Sequence, residues 1–197
     1  WSKLLFFGII AIGLPVLVFS RMRRYFKVRS TMAALEKIAK TDRNFDWQIL
    51  KNHFMLVFTA MYPHFDKSEV HGVSAECTPG FQAEQAVLMQ YWKEEGIVKR
   101  SSVQNIILME PILLRHSGEP GGEDSTIVID FKANEETYFT NAQTGAIEKG
   151  ETGYREVETM WTFHLNKGKW LLHNIEPVEL KSVYIDLTNE VPKEAKG

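Results

Sequence analysis

Val157-Glu158-Thr159-Met160-Trp161-Thr162-Phe163-His164-Leu165-Asn166-Lys167-Gly168-Lys169-Trp170-Leu171-Leu172-His173-Asn174-Ile175 is the stretch whose reading decides the fold. Val157, Thr159, Trp161, Phe163 and Leu165 occupy alternate positions, the period of a strand with one buried face. Asn166-Lys167-Gly168-Lys169 then supplies hairpin-turn residues, and Trp170 to Glu176 is the returning strand. Working back from this hairpin, Ser125 to Thr140 alternates Ile127, Ile129 and Phe131 against Thr126, Val128, Asp130 and Lys132. Val98 to His116 is a long β-rich run in which Pro111 belongs at a bulge or an edge. Gly118 to Asp124 reads as a turn and Asn141 to Gly153, with Thr144-Gly145, as a loop. Four antiparallel strands are predicted.

Before Gly96 the period is helical. Thr31 to Lys40 predicts a short helix, broken by Thr41-Asp42-Arg43-Asn44. Asp46 can cap a second helix reaching Met61, because Trp47, Leu50, Phe54, Val57, Phe58 and Met61 recur at three- and four-residue spacing. Pro63 is expected to end it. A weaker helix is predicted over Lys67 to Ala75. Thr78-Pro79 then reads as an N-cap followed by proline at the first helical position, opening a helix over Gly80 to Glu95 that Gly96 stops. Helices followed by strands predict an α+β fold with the helices packed on one face of a curved four-stranded antiparallel sheet.

The N-terminal end predicts a membrane anchor. Leu4 to Ser20 is uncharged over 17 residues, roughly 25 Å of helix against a hydrocarbon core of ~30 Å. Trp1 and a snorkelling Lys3 can supply the missing turn, and Pro15 is tolerated in lipid. A signal peptide would end in small residues, whereas this stretch ends in Arg21-Met22-Arg23-Arg24. A buried or interfacial helix would show a polar stripe, and this one has none. The chain opens on Trp1 rather than Met, which leaves room for upstream residues. The predicted division is therefore 1–20 transmembrane helix, 21–44 basic juxtamembrane linker or helix, 45–180 α+β domain and 181–197 C-terminal tail, with Pro192 to Gly197 expected to be disordered.

Charge supports that division. A net charge of −2 hides eight basic residues against Glu36 and Asp42 between Arg21 and Arg43, a balance of +6. From Asn44 onward fourteen basic residues meet twenty-three acidic ones, or −9. A basic stalk bearing an acidic head is the reverse of a nucleic-acid-binding domain. Arg21, Arg23, Arg24, Lys27 and Arg29 place the head on the cytoplasmic side of a membrane, or the matrix side of a mitochondrial one. These five are also the candidate contacts for anionic lipid headgroups, at ~1 kcal/mol each, or they set orientation alone. With 44% hydrophobic and 24% charged residues the chain can bury a core. Its sole cysteine, Cys77, leaves no internal disulfide and no zinc-finger or CxxC reading.

The chemistry-bearing residues are sparse. No GxSxG, HExxH, GxxxxGK[ST] or GxGxxG occurs, and histidines 53, 64, 71, 116, 164 and 173 include no i, i+4 pair. Alternation turns Asp130, Glu158 and His164 outward. His173 lies on a strand whose two faces are both fairly apolar, so it reads as a structural histidine or as the base of a cone-shaped enzyme pocket. No catalytic residue, metal or cofactor is expected. Phe81, Tyr91, Trp92, Trp161, Phe163 and Trp170 either fill the core or line an apolar pocket between sheet and helices, suited to an acyl chain or an apolar peptide. The acidic surface suits a basic protein partner.

Tyr138-Phe139-Thr140, Thr144-Gly145 with Gly150 five residues on, Arg155 to Phe163 ending in Trp161-Thr162-Phe163, and Trp170 to Ile175 together resemble the Tim44-like domain family. Gln85 to Trp92 adds a less specific match, and the resemblance spans roughly Phe45 to Glu176. That family includes a matrix-side tether of the mitochondrial import motor, a mitochondrial large-ribosomal-subunit protein and bacterial membrane-anchored proteins. The resemblance implies a nuclear-transport-factor-two-like cone that binds lipid or protein at a membrane and does not catalyse. The tether's chaperone-recruiting region has no counterpart here, and an integral span stands in for peripheral attachment. A bacterial-type member is therefore expected, an accessory or assembly subunit of a larger membrane complex. Lipid or apolar-ligand binding and a translocation tether are the alternatives.

Overall fold

A computed structural model describes residues 2–67 and 75–191, with side chains from residue 18 onward. The helix expected to begin at Thr31 is the last part of α1 (Ser2–Ala39), one helix of 38 residues. Between Ser20 and Thr31 there is no glycine or proline to break it, and Arg, Met and Lys are good helix formers. The basic segment is thus part of one helix with the apolar stretch before it. Among the described residues no helix is long and apolar enough to cross a membrane. Most of Leu4 to Ser20 lies outside the residues whose side chains are described.

Asp46 caps α2 (Trp47–Lys67) as expected, its carboxylate accepting from the Gln48 and Ile49 amides. Pro63 does not end the helix. The Thr59 carbonyl that it leaves without an amide lies on an exposed turn, where water can take it, and Phe65 beyond it is held in the core. The helix predicted from Lys67 to Ala75 falls almost wholly outside the described residues. Thr78 caps α3 (Pro79–Glu94) with its hydroxyl accepting from the Phe81 amide, and Gly96, at φ +67°, follows its end.

Five strands follow, not four: β1 (Ile97–Arg115), β2 (Thr126–Asn141), β3 (Ile147–Gly150), β4 (Arg155–Asn166) and β5 (Lys169–Pro177). The sheet is antiparallel with order β1-β2-β4-β5, and β3, inside the predicted loop, pairs with the far end of β2. Pro111 sits both on the edge strand and beside a register shift, one of three that bend β1.

The front face packs on α2. Phe54 stacks on Phe163 at 4.0 Å and Phe58 on Phe131 at 4.3 Å, with Trp161 against Phe58 at 4.8 Å. Each such buried ring contributes roughly 1.5–3 kcal/mol. The back face is not left to solvent, as a one-sided α+β layer would leave it. α1 crosses the β1 edge, so that Ala34, Leu35 and Ile38 join the front core while Val28 packs behind the sheet. There Ile112, Leu113, Val128 and Met160 form a second cluster, closed by Tyr184 and Leu187. The expected C-terminal tail therefore contains a strap: a single turn at Val178–Leu180, α4 (Lys181–Asp186), and an extended run whose Glu190 bridges to Arg115 of β1. Pro192 to Gly197 lie outside the described residues.

Candidate functional site

Alternation does turn Asp130 to the back of the sheet, but the residue is fully buried there rather than outward in water. Arg24 of α1 reaches its carboxylate at 3.2 Å and Glu110 of β1 at 2.8 Å. Lys181 of α4 lies 2.7 Å from Asp130 and also pairs with Glu158 of β4. One carboxylate thus ties the N-terminal helix and the C-terminal strap to the middle of the sheet. Burial pushes Asp130 up to about 6 against the pull of Lys181 and Arg24. Burial pushes Glu158 up, but the hydrogen bond and charge of Lys181, with Asp130 and Arg24, together outweigh it and hold the carboxyl low.

The helix and strap meet along two further turns. Arg23 pairs with Asp186, and the buried Lys27 donates to the Leu187 carbonyl. The Lys27 ammonium is lowered by burial and then by Arg115. Asn189 accepts from the Leu114 amide at 3.0 Å and contacts the Thr31 hydroxyl at 3.1 Å. The Glu190 amide donates to Leu114, and the His116 amide to Glu190. Three of the five candidate headgroup residues, Arg23, Arg24 and Lys27, are thus engaged within the chain, while Arg21 and Arg29 are exposed. The same stretch exposes Phe19, Met22, Tyr25 and Phe26. A +6 count could not separate cations that meet acceptors from those that meet solvent.

The six aromatic candidates part company in front. Phe81, Trp161, Phe163 and Trp170 are buried, and the Trp170 indole donates to the Asn44 carbonyl at 2.9 Å. Tyr91 is 54% exposed and lines neither of the two hollows described next. Trp92 and Trp161 border a cavity of about 260 Å³ between α2, α3 and the sheet. A larger, more open hollow of about 530 Å³ adjoins it around Tyr62, Pro63, Arg100 and Tyr138.

The smaller cavity has a polar side that the aromatic reading missed: Lys99, Ser101 and Glu135. Burial raises Glu135, against the Tyr62 hydroxyl and Lys99, and burial lowers Lys99. The Tyr62 phenol is raised in turn, by burial and then by Glu135. The period of β2 carried the signal, because Phe131, Ala133 and Glu135 share the inward parity.

The remaining reactive groups lie elsewhere. His164 and His173 stack at 3.8 Å, and the His173 Nδ1 is 3.3 Å from the Thr78 hydroxyl, so neither wall of the cavity contains them. The His164 imidazole is lowered by burial and by His173. Cys77 is buried, its thiol pushed up to about 12 by burial and Glu76. Among the described residues no group of three or more His, Cys, Asp or Glu could hold a metal ion.

Compared with known proteins, residues 31–177 match the family model of the Tim44-like domain. No curated protein matches the sequence. Among solved structures, the intermembrane-space region of the chloroplast protein ARC6 aligns at 9% identity and a TM-score of 0.47, covering 66% of this chain and 94% of that one. A protein from Xanthomonas campestris pv. campestris, described as a candidate polyketide cyclase, aligns at 9% identity and a TM-score of 0.33, covering 68% and 98%.

Proposed function

The chain belongs to the Tim44-like domain family, and from that premise we propose that it is a non-enzymatic, membrane-anchored interaction module. In this reading Leu4 to Ser20 anchors α1, the head stands on the cytoplasmic or matrix side, and its acidic surface receives a subunit of a larger membrane complex. One observation carries the proposal. The matched segment, 31–177, leaves out both the first thirty residues and the strap after Pro177, and these two additions are bonded to each other on the sheet's back through Arg23–Asp186, Lys27–Leu187 and Ser30–Asn189. A helix meant only as a leash needs no such clamp. A helix meant to present the head at a set orientation does.

The basic collar takes a narrower role in this proposal. With Arg23, Arg24 and Lys27 engaged, Arg21 and Arg29 are the cations left for anionic headgroups, and exposed Tyr25 and Phe26 suit the membrane–water boundary. A protein-translocation tether is a more specific form of the same reading. Native purification in mild detergent from cells expressing endogenous levels is the test. A stoichiometric membrane partner is expected, and a clean monomer would overturn the proposal.

A second reading, binding of a lipid or apolar ligand, draws on the cavity between α2, α3 and the sheet. Its aromatic walls and few convergent polar groups support that reading.

A further inference from the structure

Lys99 stands out among the half-buried and buried cations of the described residues. Its ammonium lies 4.1 Å from the centre of the Phe65 ring and 5.7 Å from that of Trp92. Arg24, Lys27 and Lys181 each meet an oxygen of the chain. Among the described residues Lys99 meets none within ion-pair or hydrogen-bond distance, and Glu135 acts on it only from further off. An ammonium carries three N–H donors, and among the described residues no oxygen takes up those of Lys99. The Phe65 and Trp92 rings attract its charge but leave those donors open to an oxygen acceptor.

Those unspent donors line the 260 Å³ cavity. We propose that the cavity binds a small carboxylate with a compact apolar body, its carboxylate on the Lys99 ammonium and its body between Trp92, Leu88 and Trp161. The inference rests on the second reading above and is independent of the first. The size follows from the volume, which lies just under the ~300–1,000 Å³ typical of sites for drug-sized ligands. Charge sign follows from Lys99, and the compact apolar body from the walls. Glu135 does not close the site to an anion. Its carboxyl hydrogen-bonds with the Tyr62 hydroxyl, and it makes no ion pair with Lys99. Ser101 and Thr137, whose hydroxyls are 3.1 Å apart, offer the ligand's second oxygen a hydroxyl donor.

The test uses the full chain in lipid nanodiscs at pH 7, titrated calorimetrically with cinnamate, octanoate and cinnamamide. Cinnamate and octanoate present one carboxylate on two compact bodies, aromatic and aliphatic, and cinnamamide removes the charge while keeping the shape. One site per chain is expected, with at least one of the acids bound about tenfold or more tighter than the amide. Lys99→Met keeps the stem against Phe65 and Trp92. It is expected to erase the advantage of the acid while leaving amide binding and the thermal midpoint nearly unchanged. Lys99→Arg should restore part of the advantage. Equal binding of acid and amide, an advantage that survives Lys99→Met, or no binding of any probe would each overturn the proposal. Recovery of a partner by native purification is unaffected by any of these outcomes, so the two readings fail separately.

Discussion

Asp130 of β2 and Arg24 of α1 form an ion pair at 3.2 Å in which the carboxylate has no exposure to solvent. The pair joins the centre of the sheet to the helix that carries the apolar stretch, and Lys181 brings the strap to the same carboxylate. A buried carboxylate is tolerated only while its cations stay in place. The clamp is therefore all-or-none in character: releasing the strap also strands the charge beneath it.

Removing a cation should cost more than removing the acid. Lys181→Met leaves Asp130 buried with Arg24 as its remaining close cation, and is expected to destabilise the fold by about 3–5 kcal/mol. Asp130→Asn should cost far less, because Lys181 keeps Glu158 and Arg24 keeps Glu110. Adding Asp130→Asn to Lys181→Met should recover most of the loss. Urea unfolding of the four proteins in the same detergent measures the cycle, and additive effects would refute the shared-charge account.

The pH dependence has a definite sign. Asp130 is raised from 3.8 to about 6 in the fold, so its protonated form is favoured in the native state. Its contribution is fully present below about pH 4 and is lost as pH rises through about 6. Glu158 is lowered from 4.5, so its contribution is present above that value and lost as pH falls. Between pH 4.5 and 6 the Asp130 trend stands alone within the cluster. The stability of the wild type relative to Asp130→Asn should therefore fall across that window and level off above it. A relative stability that rises with pH would contradict the assignment.

The hairpin, the caps at Asp46 and Thr78 and the edge position of Pro111 were legible because each depends on local pattern. Three features were not. α1 runs on through the basic collar because nothing local stops it, and charge clustering hid that. Asp130 lies where alternation puts it, but its burial depends on α4, whose packing is a long-range event with no periodic signature in so short a segment. Lys99 and Glu135 reach the cavity on inward parity, which hydrophobic patterning reads past because both are charged.

Gly122 is a test of the turn before β2. Its φ is +67°, and an added Cβ would lie 2.5 Å from two ring atoms of Phe45. Gly122→Ala should destabilise by about 2–4 kcal/mol, from left-handed backbone strain and overpacking together. Gly118, at φ +85° with open space around it, provides the control: Gly118→Ala should lose only the backbone part, about 1–2 kcal/mol. Equal thermal shifts for the two variants would remove Phe45 from the explanation.

Asn189 separates a structural strap from one that fixes the anchor helix. Its side chain accepts from the Leu114 amide and touches Thr31 and Ser30 of α1. Asn189→Ala leaves the Leu114 amide unsatisfied at a cost of about 1–3 kcal/mol and removes the bridge between strap and helix. If the strap holds α1 on the sheet, hydrogen exchange should accelerate over residues 21–31 and over the strap itself, while the α2–β4 core keeps its protection. The basal fold is then intact and only the mounting of the head is loosened. In that state native purification should recover less of the membrane partner, because the head no longer meets it at a fixed orientation. Uniformly faster exchange would instead mean that Asn189 serves global stability, and full partner recovery with a loosened α1 would show that orientation is not what the partner reads.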